Sequence, residues 1–385
     1  MSRLRVLHIQ KVKGLGGSEN HLRTLLPAFA RRGVDVRMLV LASGDWRRFT
    51  DLLQAEHVPF DIAPAGPDLD PRPSRAISRA ITSFGPDLVH THLIHATVHG
   101  QLAARRASVP AVTTAHNIDP RIRRFPVLQV ARRTGRNAAR TIAISEHVQE
   151  YLEELRIPRP GTVRVVPYGI DVEGRRLDPD ARAAARKGFG LADDDVTVAV
   201  VARLIDGKGH GTLLEALRTA HAVAPRLRLL VAGDGPLRSS LEERAASFPE
   251  GVVRFLGFLD DPRDLIGASD ILAFPTESSM GEGFGLSALE AMAAGIPVIA
   301  SDAGALPELV LDGETGIIVP DGAEDGLASA LVRLAGDPSE RVRLGEAGLA
   351  RARERYSVMA MVDGTLSVYG EALRRPASIE RPPPR

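Results

Sequence analysis

The 385-residue chain has no cysteine, few aromatics (4%) and no excess of charge of either sign: 49 Lys and Arg face 48 Asp and Glu, a formal net charge of +1. The charge balance excludes nucleic acid or a strongly acidic partner as a target of the molecule as a whole, so electrostatic specialisation has to be local. No apolar run is long enough to span a bilayer, and no apolar segment of a secretory signal follows Met1 to Arg5. Together with the missing cysteine this argues against secretion and membrane insertion and sets a cytoplasmic expectation, with a peripheral position on the inner face of the membrane as an extension of it. What is abundant is Ala, Val, Leu, Gly and Arg, a mixture that suits buried β-branched strands alternating with Ala/Leu helices. The length suits two domains of ordinary size, each able to bury a core.

Short apolar runs recur, each followed by a glycine or polar turn and then a segment of helical period, the pattern of βα units on a parallel sheet. Strands are expected at Leu4–Ile9, Val34–Leu39, Leu88–His90, Ala111–Thr114, Thr141–Ile144 and Val163–Val166. A second series starts at Val196–Ala202 and continues through Leu227–Ala232, Val252–Leu256, Ile271–Phe274, Pro297–Ala300 and Gly316–Val319. Pro167 and Gly169 punctuate the chain between the two series, followed by a polar helix around Ala181–Arg186, which places a domain boundary near residue 170. A last helix is expected at Val358–Leu373, and the proline-rich segment 375–385 is expected to be disordered. Two parallel α/β domains in succession imply Rossmann-like folds that bind a ligand in a cleft at the carboxyl ends of their strands.

The densest segment runs from Phe274 to Ser301 and reads as strand, loop, helix, strand. Gly281, Gly283 and Gly285 let the backbone approach a ligand, and a helix from about Gly285 aims its N–H groups and positive dipole end at a site that suits a diphosphate. Glu290 lies more than one turn inside that helix, where contact with phosphate would be repulsive but vicinal ribose hydroxyls can donate to the carboxylate. Glu282 precedes the helix and can do the same for a sugar. These paired glutamates, with seven residues between them and a Gly-Phe-Gly-Leu turn, resemble those of the retaining, GT-B-fold glycosyltransferase family 4. The resemblance implies that Glu282 touches the transferred sugar, Glu290 the ribose, and the amides of Phe284, Gly285 and Leu286 the phosphates of a nucleotide-sugar donor. The bland alternative is a pair of solvated helix glutamates.

Arg203 and Lys208 follow the first strand of the second series, in Ala202-Arg-Leu-Ile-Asp-Gly-Lys-Gly-His210. Fixed cations there can stabilise the charge that develops on a departing nucleoside diphosphate where other enzymes use magnesium, and both resemble the family's Arg and Lys. Weaker members are Gly233 in Gly-Asp-Gly-Pro236 and Gly257 with Phe258 in Phe255-Leu-Gly-Phe258, the latter lining the base pocket by resemblance; turn chemistry alone explains them equally well. In the first half, the turn Lys11 to Glu19 reads as a strand-to-helix junction with Ser18 as N-cap. The resemblance has Gly16 and Gly17 packing against donor phosphates and acceptor, and His116 beside the transferred sugar. A buried histidine satisfied by backbone is the alternative for His116.

Asp193, Asp194 and Asp195 precede their strand and so lie at the wrong edge for a metal-binding acidic motif. His90, His92, His95 and His99 have spacings that zinc uses, yet no neighbouring carboxylate or cysteine completes a site, and no metal is expected. Between residues 121 and 140 the chain carries Arg121, Arg123, Arg124, Arg132, Arg133, Arg136 and Arg140 without an acidic residue, interleaved with Phe125, Val127, Leu128 and Val130. Two readings stay open: a surface for an anionic membrane or a phosphate-bearing lipid-linked or saccharide acceptor, and an ordinary helix with solvated arginines.

The resemblance extends over nearly the whole chain and departs at Tyr168, where Asn is common. It implies an acceptor-binding domain over 1–170, a donor-binding domain over 171–357, return of the 358–373 helix to the first domain, and hexosyl transfer from a UDP- or GDP-sugar to a saccharide or lipid-linked hydroxyl, without metal or other cofactor, in polysaccharide, glycolipid or envelope synthesis. Alternatives are a GT-B-like epimerase or phosphorylase and a non-catalytic nucleotide-sugar-binding protein.

Overall fold

The computed structural model describes residues 3–65 and 72–374; the 375–385 segment lies outside the described residues. Two compact units are present, one formed by residues 1–169 with the segment from Val358 onward, the other by Ile170–Ser357.

Unit 1 follows the order β1 (Arg5–Val12), α1 (Gly17–Arg31), β2 (Asp35–Ala42), α2 (Arg47–Ala55), β3 (Phe60–Pro64), α3 (Arg72–Phe84), β4 (Leu88–His92), α4 (Leu93–Arg106), β5 (Ala111–Ala115), a 3-10 turn at Pro120–Arg123, α5 (Val127–Gly135), β6 (Arg140–Ala143), α6 (Glu146–Glu154) and β7 (Val163–Val165). Its seven strands are all parallel in the order β3-β2-β1-β4-β5-β6-β7. Unit 2 contains α7 (Pro179–Gly188), β8 (Val196–Val201), α8 (His210–Val223), β9 (Leu227–Ala232), α9 (Arg238–Ala245), β10 (Val253–Gly257), α10 (Arg263–Ala268), β11 (Ile271–Phe274), a 3-10 turn at Ser278–Met280, α11 (Leu286–Ala293), β12 (Val298–Ser301), α12 (Leu306–Leu309), β13 (Gly316–Val319), α13 (Glu324–Gly336) and α14 (Pro338–Arg355). Its six parallel strands run β10-β9-β8-β11-β12-β13. Strand order reverses between β1 and β4 in unit 1 and between β8 and β11 in unit 2, the two positions where doubly wound sheets bind ligands.

The final helix, α15 (Val358–Leu373), belongs to unit 1, where Tyr369 packs on Phe29 of α1 with ring centroids 5.6 Å apart. Leu22, Leu25, Leu26 and Phe29 share one stripe of α1 and are fully buried with Val6, Val12, Val36 and Met38. Each such side chain contributes about 1.5–3 kcal/mol of burial. Leu7 and Ile9 point to the opposite sheet face, into a second core with α3 and α4. In unit 2, Val198, Val200, Leu229, Val231, Ile271 and Ile299 form the sheet's share of a core closed by α8 and α13.

Two expectations needed correction. The strand β3 was absent from the expected series: Phe60, Ile62 and Ala63 are apolar, but Asp61 interrupts them, prolines flank them and Ile62 is half exposed, so no clear buried run or alternation is legible. Ser18 is not the N-cap of α1: Gly16 holds that position, and Ser18 instead accepts from Gln10 Nε2 at 3.1 Å and donates to Glu19 Oε2 at 3.0 Å.

Candidate active site

Unit 2 brings three of the sequence-derived residues to the carboxyl edge of its sheet. Arg203 and Lys208 leave β8, and Glu282 leaves β11, its neighbour across the reversal. The two loops are stapled by the Glu277 amide donating to the Gly207 carbonyl at 2.8 Å. Gly209 (φ 69°) caps α8 against the β11 loop, and a Cβ there would lie 1.8 Å from the Pro275 carbonyl oxygen, so no other residue fits. The result is an ion pair: Lys208 Nζ lies 2.6 Å from Glu282 Oε2, both side chains mostly buried, with the ammonium 5.6 Å from the Phe274 ring centroid. Arg203 is exposed and has no ion pair among the described residues, while its carbonyl accepts from His210 Nε2 at 3.0 Å. Burial lowers the His210 pKa and keeps the ring neutral, so it serves as a fixed donor.

Gly285 (φ 99°) opens α11, with Gly283 and Phe284 buried before it and Leu286 as the first helical residue. The Glu282 carbonyl accepts from the Ala305 amide at 3.0 Å, which fixes the approach to the helix from the loop after β12. Glu290 is the fifth residue of α11, and its Oε1 lies 3.2 Å from Arg175 Nη1. Sequence reasoning missed Arg175, which is 115 residues away in the chain and carries no motif. Gly233 closes on Gly257 through an amide-to-carbonyl bond of 2.8 Å, and Phe258 is 59% exposed at the end of β10. The acidic triplet is structural: Asp194 and Asp195 pair with Arg226 and Arg228 at 3.2 and 3.0 Å.

In unit 1, Gly16 and Gly17 begin α1 after β1, and β5 delivers His116 just past its end. His116 is buried and both ring nitrogens are engaged, Nε2 with His92 Nδ1 at 2.9 Å and Nδ1 with the Tyr168 hydroxyl at 2.7 Å. Tyr168, the departure from the family pattern, thus supplies the partner of this histidine. His92 Nε2 meets His8 Nδ1 at 3.0 Å, and His90 lies between the hydroxyls of Tyr369 (2.6 Å) and Thr114 (2.7 Å). Strand register explains the cluster, since His8 is level with His90, and Gln10 with His92, on one sheet face. The four-histidine set read from spacing is divided: His95 and His99 sit on α4, with His99 Nδ1 2.8 Å from Ser74 Oγ.

The arginine-rich stretch is interrupted by acids from elsewhere in the fold. Arg121 pairs with Asp119 at 2.7 Å, Arg123 with Glu154 at 2.8 Å and Arg140 with Glu371 at 2.8 Å, and Arg132 donates to the Leu155 carbonyl at 2.8 Å. Arg124, Arg133 and Arg136 remain exposed beside Phe125 (83% exposed), Val127 and Val130. No described helix is long and apolar enough to cross a membrane.

The protein belongs to the GT-B glycosyltransferases of family 4: the family model for glycosyl transferases group 1 matches residues 181–351, and that for Glycosyltransferase Family 4 matches residues 15–173. It is an enzyme that transfers a glycosyl unit from a nucleotide sugar. Over 404 aligned residues it is 31% identical to D-inositol 3-phosphate glycosyltransferase of Saccharomonospora viridis, covering 94% of this chain and 90% of that protein. It is 31% identical over 259 residues to the GDP-mannose-dependent alpha-(1-6)-phosphatidylinositol monomannoside mannosyltransferase of Mycolicibacterium smegmatis, covering 65% and 67% of the two chains. Among solved structures it resembles Anabaena HepE in complex with UDP and glucose, with a TM-score of 0.84, 25% identity and 96% and 100% coverage of the two chains.

Proposed function

We propose that the protein is a retaining hexosyltransferase that moves a sugar from a UDP- or GDP-sugar to a hydroxyl of a saccharide or lipid-linked acceptor, in cell-envelope, polysaccharide or glycolipid synthesis, without a metal ion in the transfer step. The carrying observation is the Lys208–Glu282 pair at the strand-order reversal of unit 2, with Glu290 on the helix that follows. Glu282 accepts from hydroxyls of the transferred sugar and Glu290 from the ribose, while Lys208 and Arg203 stabilise the diphosphate as it departs. The amides from Gly283 to Leu286 cradle its phosphates, and Phe258 with Gly257 borders the base. The acceptor oxygen bonds to the anomeric carbon on the face from which the diphosphate leaves. The anomeric C–O bond to the phosphate breaks, and the acceptor proton passes to a phosphate oxygen. No protein nucleophile is required. Assignment of the acceptor to unit 1, and of Gly16, Gly17 and His116 to substrate contact, rests on the family resemblance.

Arg124, Arg133 and Arg136, with Phe125, Val127 and Val130, form the part of the basic stretch suited to an anionic membrane surface and a lipid-linked acceptor. Flotation with anionic liposomes is expected to retain the wild type and release an Arg124→Glu/Arg133→Glu variant; loss of neither at physiological salt, or absence of binding, removes that reading.

The donor is tested by thermal shift against UDP- and GDP-sugars. A matched donor at about 100 times its Kd stabilises the fold by about 2.7 kcal/mol, and a panel without any shift overturns the assignment. Product analysis then separates transfer from epimerisation, and a phosphate requirement would reveal a phosphorylase.

A further inference from the structure

Arg175 takes no part in the transfer chemistry, yet it pairs with Glu290, which holds the ribose in the proposed site. We propose that Arg175 is a positioning residue for the nucleoside half of the donor. Its guanidinium keeps Glu290 ionised and in one orientation for the ribose hydroxyls, and ties it to the loop that borders the base. The proposal rests on the assignment of Glu290 to the ribose.

Arg175 lies in the turn between Ile170 and α7, where its amide donates to the Val172 carbonyl at 3.3 Å. Both ends of that turn are anchored. Val172 is buried, and Leu177 fills the notch that Gly267 leaves on α10, where a Cβ would lie 2.5 Å from the Leu177 side chain. From this fixed backbone Arg175 Nη1 reaches to 3.2 Å from Glu290 Oε1, and the two side chains are only 19% and 18% exposed. The same Nη1 lies 3.9 Å from Asp261 Oδ1, in the loop after β10 that also carries Phe258. Asp261 is itself pinned, accepting from the Arg263 amide and from Arg263 Nη2, each at 3.0 Å. One guanidinium thus joins the carboxylate on α11 to the loop after β10, and all of these residues belong to unit 2.

Leu289 and Ala291, on either side of Glu290, are fully buried, so the backbone of α11 is fixed and what is left to set is the carboxylate. A carboxylate withdrawn from water tends to lose its charge unless a cation stays beside it, and a neutral carboxyl is a poorer acceptor for two hydroxyls. Arginine suits this task better than lysine, because its planar guanidinium stays charged and its fork can serve two carboxylates at once. Arg176, next in the chain, pairs instead with Glu346 at 2.7 Å with both side chains half exposed, where an ion pair contributes little.

Binding of UDP and GDP, and of their 2′-deoxy and 3′-deoxy forms, to the full-length protein is measured by titration calorimetry. The wild type is expected to bind the ribonucleotide of its donor base about tenfold more tightly than the deoxy forms, because each missing hydroxyl removes a hydrogen bond to a charged group. In Arg175→Ala the ribonucleotide is expected to weaken about tenfold and the deoxy forms much less, so that the ratio falls towards one. Arg175→Lys, which keeps the charge, is expected to recover part of the ratio, and Arg176→Ala to keep all of it. With the sugar nucleotide as donor, Arg175→Ala raises KM and leaves kcat within about twofold, since the contact is made alike in the ground and transition states. Should Arg175→Ala fail to fold, Arg175→Gln, polar but uncharged, is read on the same scale. A ratio unchanged in the folded Arg175 variant, while Glu290→Ala abolishes it, overturns the role of Arg175 alone. A ratio unchanged in Glu290→Ala, or a wild type that binds both forms alike, overturns the ribose assignment and the proposal with it.

Discussion

The two sheets share an architecture but not an interior. Strands of unit 1 bury His8, Gln10, His90, Thr91, His92, Thr113 and Thr114, whereas those of unit 2 bury almost only aliphatic side chains, with Thr197 and Ser301 as polar members. In unit 2 the polar chemistry has moved out to the loops that follow β8 and β11, held in place by glycines and backbone bonds. Polar groups inside a sheet have to satisfy one another, because water is excluded and each unpaired group carries a desolvation cost of about 1–3 kcal/mol. The polar network of unit 1 is therefore a matter of mutual geometry, while the charged groups of unit 2 are placed one at a time.

If the contrast holds, substitutions in unit 2 should alter catalysis more than folding, and those in the interior of unit 1 the reverse. The largest expected effect is Lys208→Ala, for which turnover falls about 10²- to 10³-fold while the donor KM changes far less; steady-state kinetics with turnover near wild type would refute its role. Glu290→Ala follows, with the donor KM raised about 10- to 100-fold by loss of charged hydrogen bonds to ribose, read from initial rates. In unit 1, Tyr369→Phe leaves His90 Nδ1 without its 2.6 Å partner and should lower stability by about 1–3 kcal/mol in denaturant titration, with the fold intact.

A smaller, pH-dependent effect comes from Glu371 of α15, whose carboxyl is held below its ordinary pKa by hydrogen bonds from Arg140 and Arg164. A depressed folded-state pKa means that this stabilisation is present above the ordinary glutamate value and is lost as pH falls through the lower, folded one. Glu371→Gln should therefore narrow the difference in melting temperature between neutral and acid solution. Least affected is Arg353→Ala, which removes an exposed pair with Glu173 and should leave the melting temperature unchanged.

Legibility in the sequence followed the same contrast. The strand at 227–232, the strand at 271–274 and the helix at 358–373 were readable to the residue, because each is a compact run bounded by turn chemistry. The positions of Lys208 and Glu282 after β8 and β11, and of Glu290 inside α11, were readable because short loops keep these residues close to strands that are themselves legible. Arg175 was not, since a salt bridge formed across 115 residues leaves no local trace. The histidines mislead for another reason. β4 ends at His92 and α4 starts at Leu93, so spacing that looked continuous crosses from a strand to a helix on the far side of the sheet. The partners His8, His21 and Tyr369 come from three different elements and Tyr168 from the loop after β7, and they met only when the sheet was assembled. Register alone could have shown His8 opposite His90.

The return of α15 to unit 1 bears on the order in which the chain can mature. Residues 1–169 leave the ribosome first, yet their buried face still lacks Phe29's neighbour Tyr369 and the carboxylate that Arg140 and Arg164 share. Unit 2 is contiguous and emerges complete before α15 does. The half made first is therefore the half finished last, and until Val358–Leu373 appears, the histidine-lined face of its sheet lacks the helix that covers it.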